Sequence, residues 1–230
     1  MGTGARAIAA GNRFSLALTG DNRVKSWGYN VEGQLGIGTS GSDTSKSRPV
    51  LVPNLTNVAT ISTDSYADHT LVLLVDGTVW AWGGNYYGAL GDGTAANFRA
   101  TPAAVSRLSN VKAVATGGYH SLALLSNGRV KTWGYNSDGQ LGNDSSGPGT
   151  NSSVPGAVTG LMNVQSISGG AYNSSAVLET GRVRSWGDNS RGQLGTGPTG
   201  PDSDIPVAVK NLTNVRNTDG GYEFTLAATE

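Results

Sequence analysis

Two histidines are the side chains of this sequence best suited to acid–base chemistry near neutral pH, because the unperturbed pKa of imidazole is about 6.5. His69 and His120 occupy the same position of a repeated segment, where other copies carry Phe14, Asn173 and Phe224. A catalytic residue is not expected at a repeat position that other copies fill with phenylalanine. We therefore predict a packing or turn hydrogen-bonding role for both histidines.

Other catalytic and metal-binding patterns are absent from the sequence. Without cysteine there is no disulfide, thiolate metal site or cysteine nucleophile. There is no HExxH, no GxSxG and no GxxxxGK[ST] motif. Asp92 and the pair Asn143 and Asp144 carry oxygen ligands but lack the alternating spacing of a calcium loop. The sequence thus predicts a protein that is not an enzyme and that has no metal or cofactor.

Charge and hydropathy exclude two further classes of partner. Lys and Arg number 16 and Asp and Glu number 16, so no net field draws the chain to nucleic acid or to an acidic membrane. Apolar runs such as residues 70–75 are far shorter than the roughly 20 residues that span a bilayer, and the first residues lack the apolar core of a signal peptide. We predict a soluble chain that binds neither nucleic acid nor membrane, and the compartment stays open.

A repeat organises the whole chain. Trp27, Trp82, Trp133 and Trp186 are spaced 55, 51 and 53 residues apart, and each is followed by Gly at +1, Asn at +3 and Gly at +6. Each repeat continues through a proline and a Leu-x-Asn-Val segment to a sequence similar to GxxHSLAL. Self-similarity at such a period is typical of solenoids and propellers.

Each repeat contains four short candidate strands separated by turn residues. In the third repeat, Asn127 and Gly128 predict a two-residue hairpin turn of type I′ between two of these strands. Four short antiparallel strands per repeat are typical of a propeller blade. The sequence therefore predicts an all-β propeller, treated as one domain over residues 1–230, with units at 21–75, 76–126, 127–179 and 180–230 after a half blade at 5–20.

The repeats resemble the regulator of chromosome condensation repeat family, whose unit reads approximately DGxVxxWGxNxxGQLGxG, a proline-led strand and VxxIAxGxxHSLAL. The resemblance covers nearly the whole chain and implies a β-propeller, usually of seven blades. Here about four and a half blades are expected, and both chain ends carry the same two strands. We interpret the chain as part of a longer propeller, an open array, or a subunit completed by another copy through its exposed half-blade edge.

Strand direction predicts where recognition occurs. Within each unit, the GGYH-type turn and the loop after Trp-Gly lie at the same end of the blade, and all eight tyrosines occur in these two loop types. Tyrosine gives a large amphipathic contact area at low entropic cost. Tyr29 and Tyr135 lie close to the tryptophan of their loops. For these two residues, packing against the adjacent loop is an alternative to partner binding. The predicted partner-binding rim consists of Tyr66, Tyr119, Tyr172, Tyr222, Tyr29, Tyr86, Tyr87, Tyr135, Arg13 and Asp188.

Three functions remain open at this point. The leading hypothesis is a non-enzymatic module that binds another protein through the tyrosine-rich rim, an inhibitor being one version of that class. The second, implied by the family resemblance, is guanine-nucleotide exchange on a small GTPase combined with chromatin binding, although no unit carries a long inserted wedge and the chain has no basic tail. The third is a structural or self-assembling surface repeat.

Overall fold

The computed structural model describes residues 4–95, 97–197 and 199–229, which form eighteen strands. The first sheet contains β1 (Ala5–Gly11), β2 (Phe14–Thr19), β3 (Val24–Gly28) and β4 (Lys46–Leu51). The second contains β5 (Val58–Ser62), β6 (His69–Leu74), β7 (Val79–Gly84) and β8 (Phe98–Ala104). The third contains β9 (Val111–Thr116), β10 (His120–Leu125), β11 (Val130–Gly134) and β12 (Ser152–Ala157). The fourth contains β13 (Val164–Gly169), β14 (Asn173–Leu178), β15 (Val183–Gly187) and β16 (Ser203–Ala208). The last contains β17 (Val215–Gly220) and β18 (Thr225–Thr229).

Every sheet is an antiparallel meander in chain order. The first strands of consecutive sheets are neighbours, so β5, β9, β13 and β17 line the inner side of the array. The fourth strand of each complete sheet lies outermost and is largely exposed. The prediction of an all-β fold with four-stranded antiparallel blades, about four and a half in number, is confirmed.

The strands are grouped differently from the units drawn on the sequence. Residues 5–20 supply β1 and β2 of a complete sheet, and the two-stranded sheet is formed by β17 and β18. Each sequence unit provides the outer two strands of one sheet and the inner two of the next. The reason is that the hairpin turn where the units begin lies inside a sheet, between its second and third strands.

The hairpin turns also differ from the predicted type. Of Asn127 and Gly128 only the glycine has a positive φ, of 74°. The Gly128 amide donates to the Leu125 carbonyl over 3.0 Å and the Leu125 amide to the Arg129 carbonyl over 2.9 Å. This is a three-residue loop closed by a glycine in the left-handed region, not a type I′ turn. The prediction of type I′ is therefore wrong.

The loop after each third strand is folded by the asparagine three residues after the tryptophan. In the third sheet the buried Asn136 side chain accepts a hydrogen bond from the Leu141 amide over 2.9 Å, and Asn30 does the same for Leu35 over 2.9 Å in the first. Each leucine is thereby placed against the core, where both are essentially unexposed. Because consecutive sheets share their apolar clusters, as where Leu16 packs in one cluster with Trp82, the core lies between blades.

Within the part of the chain described here, the only helical segments are short turns, and none offers the length of apolar helix that crosses a membrane.

Candidate functional site

Two kinds of loop lie at the same end of the complete sheets: the turn joining the first and second strands, and the loop following the third strand. Antiparallel pairing brings them together, since His120 at the start of β10 is opposite Gly134 at the end of β11. The first kind carries Tyr66, Tyr119, Tyr172 and, in the two-stranded sheet, Tyr222. The second kind carries Tyr29, Tyr86, Tyr87 and Tyr135.

Six of the eight tyrosines contact one another ring to ring, and we call this group the tyrosine cluster. The closest ring centroids are those of Tyr87 and Tyr135, 4.7 Å apart, and of Tyr66 and Tyr222, 5.0 Å apart. The other pairs are separated by 5.9 to 6.4 Å and are mostly edge-to-face, the arrangement that the aromatic quadrupole favours. The members are Tyr66, Tyr87, Tyr119, Tyr135, Tyr172 and Tyr222.

The cluster joins loops that are distant in sequence. Tyr66 belongs to the second sheet and Tyr222 to the last, so their contact spans the third and fourth sheets. Tyr87 and Tyr222 are 46% and 47% exposed, and the other members are partly exposed. The cluster is therefore a continuous and partly exposed aromatic surface.

The backbone at Tyr87 is strained. Its φ is 65°, a left-handed conformation that costs a residue with a β-carbon roughly 1–2 kcal/mol. The ring packs on Tyr135 in this conformation. Strain of this kind persists only where the surroundings determine it, and it is frequent at binding sites.

The two remaining tyrosines of the predicted rim lie outside the cluster. The Tyr86 hydroxyl donates to Glu32 Oε1 over 2.7 Å. Tyr29 lies under Arg13, whose guanidinium carbon is 5.8 Å from the ring centroid. Arg13 thus makes a cation–π contact within the chain.

The two histidines lie buried at the start of the second strand of their sheets, next to the tyrosine-bearing turns. Both are buried, and His69 Nε2 lies 2.9 Å from Ser121 Oγ while His120 Nε2 lies 2.8 Å from Ser174 Oγ. Each hydrogen bond joins one sheet to the next. Burial lowers the pKa of His69 to about 4 and that of His120 to about 3, so both are neutral at pH 7.

Three carboxylates lie along one side of the tyrosine cluster. Burial raises the pKa of Glu32, Asp64 and Asp68 above their usual values. Asp64 accepts a hydrogen bond from the Tyr66 amide over 2.9 Å, whereas Glu32 Oε2 is buried and has no hydrogen-bond partner. These groups concentrate negative charge beside the tyrosines.

A second acidic group lies in the loops of the third and fourth sheets. Burial, and then the charges of neighbouring aspartates, raise the pKa of Asp138 and Asp202. Asp188 of the predicted rim accepts hydrogen bonds from the Ser190 amide over 2.8 Å and from Gln193 Nε2 over 2.7 Å. Asp188 therefore belongs to this acidic group and not to the tyrosine cluster.

The hydroxyls of Tyr86, Tyr119 and Tyr172 are protonated at neutral pH. The hydrogen bond to Glu32 raises the pKa of Tyr86 to about 12, and burial raises the pKa of Tyr119 and of Tyr172. Each hydroxyl can therefore both donate and accept a hydrogen bond. The chemical groups at this end of the array are thus aromatic rings, hydroxyls and carboxylates.

Sequence reasoning missed the carboxylates Glu32, Asp64 and Asp68. Asp64 and Asp68 flank Tyr66 at a distance of two residues, which was an available signal, because a tight turn keeps such neighbours at one end of the sheet. Glu32 gave no such signal.

Metal binding finds no support in the described ranges. No group of three or more His, Cys, Asp or Glu side chains within residues 4–95, 97–197 and 199–229 is placed to hold an ion. The Asp92 carboxylate is already engaged by Thr94 and Arg99.

Comparison with known families gives a match over nearly the whole chain. The family model described as RCC1-like domain matches residues 2–230. Among curated proteins, the chain is 35% identical over 225 residues to the probable E3 ubiquitin-protein ligase HERC6 of Homo sapiens, covering 96% of this chain and 22% of that protein. It is 32% identical over 232 residues to the ultraviolet-B receptor UVR8 of Arabidopsis thaliana, covering 98% of this chain and 51% of that protein. The chain thus spans about half or less of the length of these relatives.

Solved structures share the fold. Human WBSCR16 matches with a TM-score of 0.84 and 26% identity, over 98% of this chain and 58% of that one. Prp20p of Saccharomyces cerevisiae, whose structure is described with its binding to Gsp1p and histones, matches with a TM-score of 0.86 and 23% identity, over 98% of this chain and 56% of that one. The latter likeness shows the fold alone.

Proposed function

Since this chain belongs to the RCC1-like domain family, as the repeats had predicted, we propose that it is a β-propeller module that binds another protein through the tyrosine cluster. Its action is binding and not catalysis. The ligase name belongs to a relative of which this chain spans 22%, and this fold is generally an interaction or exchange module.

The single observation that carries the proposal is the tyrosine cluster. Six rings from four different sheets form one continuous, partly exposed surface at one end of the array. Tyrosine is enriched at the buried centres of protein interfaces, where its ring is covered and its hydroxyl finds a partner. A module that needed these residues only for packing would bury them, whereas Tyr87, which lies in a complete sheet, is nearly half exposed.

The surrounding charges favour a partner that presents arginine or lysine. Glu32, Asp64 and Asp68 lie beside the cluster, and all three residues are partly exposed. Guanidinium groups pair with carboxylates and stack on tyrosine faces. Arg13 over Tyr29 is an example of the second contact within this chain. The same carboxylates disfavour nucleic acid.

Structural neighbours support a protein as the partner, although they do not identify which protein or which surface. Prp20p is described as binding Gsp1p and histones, and its structure has also been solved with Kap60. The proposal takes from these neighbours only that a propeller of this fold binds proteins, because the identity is 23% or below.

The experiment compares partner capture by matched variants. The substitutions Tyr119→Ala, Tyr172→Ala and Tyr222→Ala are combined in one protein. The control Phe98→Ala removes from an outer strand an aromatic side chain about as exposed as that of Tyr222. Proteins cross-linked to the wild type and to Phe98→Ala should be lost from the triple variant. An arginine octapeptide should compete for them, and a glutamate octapeptide should not. If the triple variant retains its thermal midpoint and every partner, the cluster is not the binding surface.

Two alternatives have their own tests. Guanine-nucleotide exchange would appear as faster nucleotide release from a small GTPase when the chain is added. Self-association through the edge of the two-stranded sheet would appear as a defined oligomer in light scattering.

A further inference from the structure

The turn between the second and third strands of a sheet lies at the same end of the molecule as the connection between successive sheets. The Val164 amide, which follows such a connection, donates to the carbonyl of Gly128, which lies in such a turn, over 3.0 Å. Since the strands of each sheet are antiparallel, this end is opposite the tyrosine cluster. We call it the hairpin end and define it as these turns, these connections and the adjacent strand ends.

The hairpin end carries mostly basic side chains. Three complete sheets repeat one pair there, an arginine followed two residues later by a lysine or arginine on the third strand. The valine between them is buried, so the two basic side chains lie on the other face of the strand. The pairs are Arg23 and Lys25, Arg129 and Lys131, and Arg182 and Arg184. The other basic residues of this end are Arg6, Arg107, Lys112, Lys210 and Arg216, and its acidic residues are Asp21, Asp76 and Glu179.

The opposite end, with the tyrosine cluster, carries mostly acidic side chains. By the same definition its acidic residues are Glu32, Asp43, Asp64, Asp68, Asp92, Asp138, Asp144, Asp188, Asp202, Asp204, Asp219 and Glu223, and its basic residues are Arg13, Lys46, Arg99 and Arg191. The equal totals of 16 basic and 16 acidic residues therefore conceal a separation of charge between the two ends. The prediction that the chain does not bind an acidic membrane used the totals alone.

The positive charge of the hairpin end is not neutralised within the described chain. Both salt bridges among the described residues, Arg99 with Asp92 and Arg191 with Glu223, lie at the opposite end. Arg129 and Arg182 are exposed, and their guanidinium groups have no ion-pair partner in the described part of the chain. Their charges therefore face solvent.

The composition of the hairpin end favours one class of anionic partner over two others. Its turns and connections, at 20–23, 52–57, 75–78, 105–110, 126–129, 158–163, 179–182 and 209–214, contain no aromatic residue. Aromatic side chains stack on the bases of single-stranded nucleic acid and are enriched in protein interfaces. Duplex DNA is read by a helix or strand pair placed in a groove, whereas these segments are short turns. Nucleic acid and folded proteins are thus poorly matched to this end.

An anionic bilayer matches the same composition. It attracts clustered lysine and arginine side chains without requiring a groove or a register. Apolar side chains placed among basic ones can enter the boundary between headgroups and acyl chains. Val75 and Met162 are exposed aliphatic side chains in the turns and connections of the hairpin end.

We propose that the hairpin end binds the surface of a bilayer that contains anionic lipid. The basic pairs contact the headgroups, and Met162 and Val75 reach the interface. Binding is peripheral and reversible, because each basic side chain near the surface adds only a modest attraction. This orientation turns the tyrosine cluster away from the bilayer. No tyrosine takes part, so the inference does not depend on the proposed function.

The first experiment measures co-sedimentation of the whole chain with vesicles. Vesicles of phosphatidylcholine with about 30% phosphatidylserine should bind the chain, and vesicles of phosphatidylcholine alone should not. Raising the NaCl concentration from about 0.1 M to about 0.5 M should release it, because salt screens the attraction.

Two double variants remove the same amount of charge from different places. Arg129→Gln with Arg182→Gln removes two exposed charges from the hairpin end and should weaken vesicle binding about tenfold or more. Lys46→Gln with Arg48→Gln removes two charges from β4, away from the hairpin end, and should leave binding within about twofold of the wild type. Thermal midpoints confirm that both variants are folded. Tyr119→Ala with Tyr172→Ala should also bind vesicles normally, which separates this surface from the tyrosine cluster.

A second experiment measures orientation. The chain has no cysteine, so a single Met162→Cys or Ala95→Cys substitution can carry an environment-sensitive NBD fluorophore. Met162 lies at the hairpin end, and Ala95 is exposed in a loop at the opposite end. On phosphatidylserine vesicles the emission from position 162 should rise and shift to the blue, whereas that from position 95 should not change.

Four results would overturn the proposal. The first is equal binding to the two kinds of vesicle, and the second is equal weakening by the two double variants. The third is a fluorescence response at position 95 and not at position 162. The fourth is tighter binding of duplex DNA, polyglutamate or a second copy of the chain than of the vesicles, lost in the Arg129→Gln and Arg182→Gln variant, because the occupant would then be another polyanion.

Discussion

The third sheet and the terminal two-stranded sheet are built from the same repeat, yet their burial differs. Leu122 of β10 is unexposed, whereas Leu226, at the same repeat position in β18, is 60% exposed. His120 is fully buried, whereas Phe224 at its equivalent is 54% exposed. The local pattern is shared, so the difference comes from the next sheet, which covers β10 and has no counterpart over β18 in the described chain. A repeat of this kind is stabilised mainly by its neighbours.

The largest expected effect comes from replacing a tryptophan that is buried between two sheets. Trp133→Ala should lower the free energy of unfolding by about 3–5 kcal/mol, because it empties a core position and removes the hydrogen bond to the Ala89 carbonyl. Trp27→Ala is the matched control, since its indole is only half-buried, and it should cost clearly less. Urea denaturation followed by circular dichroism measures both. Equal losses would show that burial of the indole between sheets does not govern stability.

The second test compares the two leucines at equivalent repeat positions, Leu122 and Leu226. Leu122→Ala should cost about 2–5 kcal/mol, the usual range for a buried leucine. Leu226→Ala, at the equivalent position in β18, should stay within about 0.5 kcal/mol of the wild type because its side chain already meets water. Thermal and urea midpoints report the two values. A similar cost at both sites would mean that β18 is covered in solution.

The smallest expected effect per residue concerns the histidines that join the sheets. Their folded pKa values, about 4 for His69 and about 3 for His120, lie below the unfolded value of 6.5. Between pH 6.5 and these values the unfolded chain binds more protons, so stability falls as the pH is lowered. From pH 7 to pH 5 the loss should be about 2 kcal/mol per histidine.

The variant for this test takes its substitution from another copy of the repeat. The fourth sheet carries Asn173 at the histidine position, so His69→Asn combined with His120→Asn should fold and show a flatter dependence on pH. The carboxylates with raised pKa act in the opposite direction, but they are common to both proteins and cancel in the difference. Parallel pH curves for the wild type and the variant would contradict the assignment.

The sequence predicted the architecture more completely than it predicted the candidate site. The four Trp-Gly-x-Asn motifs predicted the all-β propeller, because each motif builds a loop from local contacts such as that of Asn136 with Leu141. The boundary between sheets was not visible, since the repeat pattern is equally periodic wherever it is cut. For the same reason the half blade was predicted at residues 5–20, whereas in the structure the two-stranded sheet is formed by β17 and β18.

The candidate site divides in the same way. That all eight tyrosines lie in loops at one end follows from strand direction, which the sequence determines. Which of them touch does not follow: Tyr66 meets Tyr222 across two intervening sheets, while Tyr86 turns to Glu32 and Tyr29 lies under Arg13. The spacing of the motif determined each blade because its contacts are short in sequence. The cluster and the acidic groups beside it were decided only by tertiary structure, because they depend on how successive sheets are placed around a common axis.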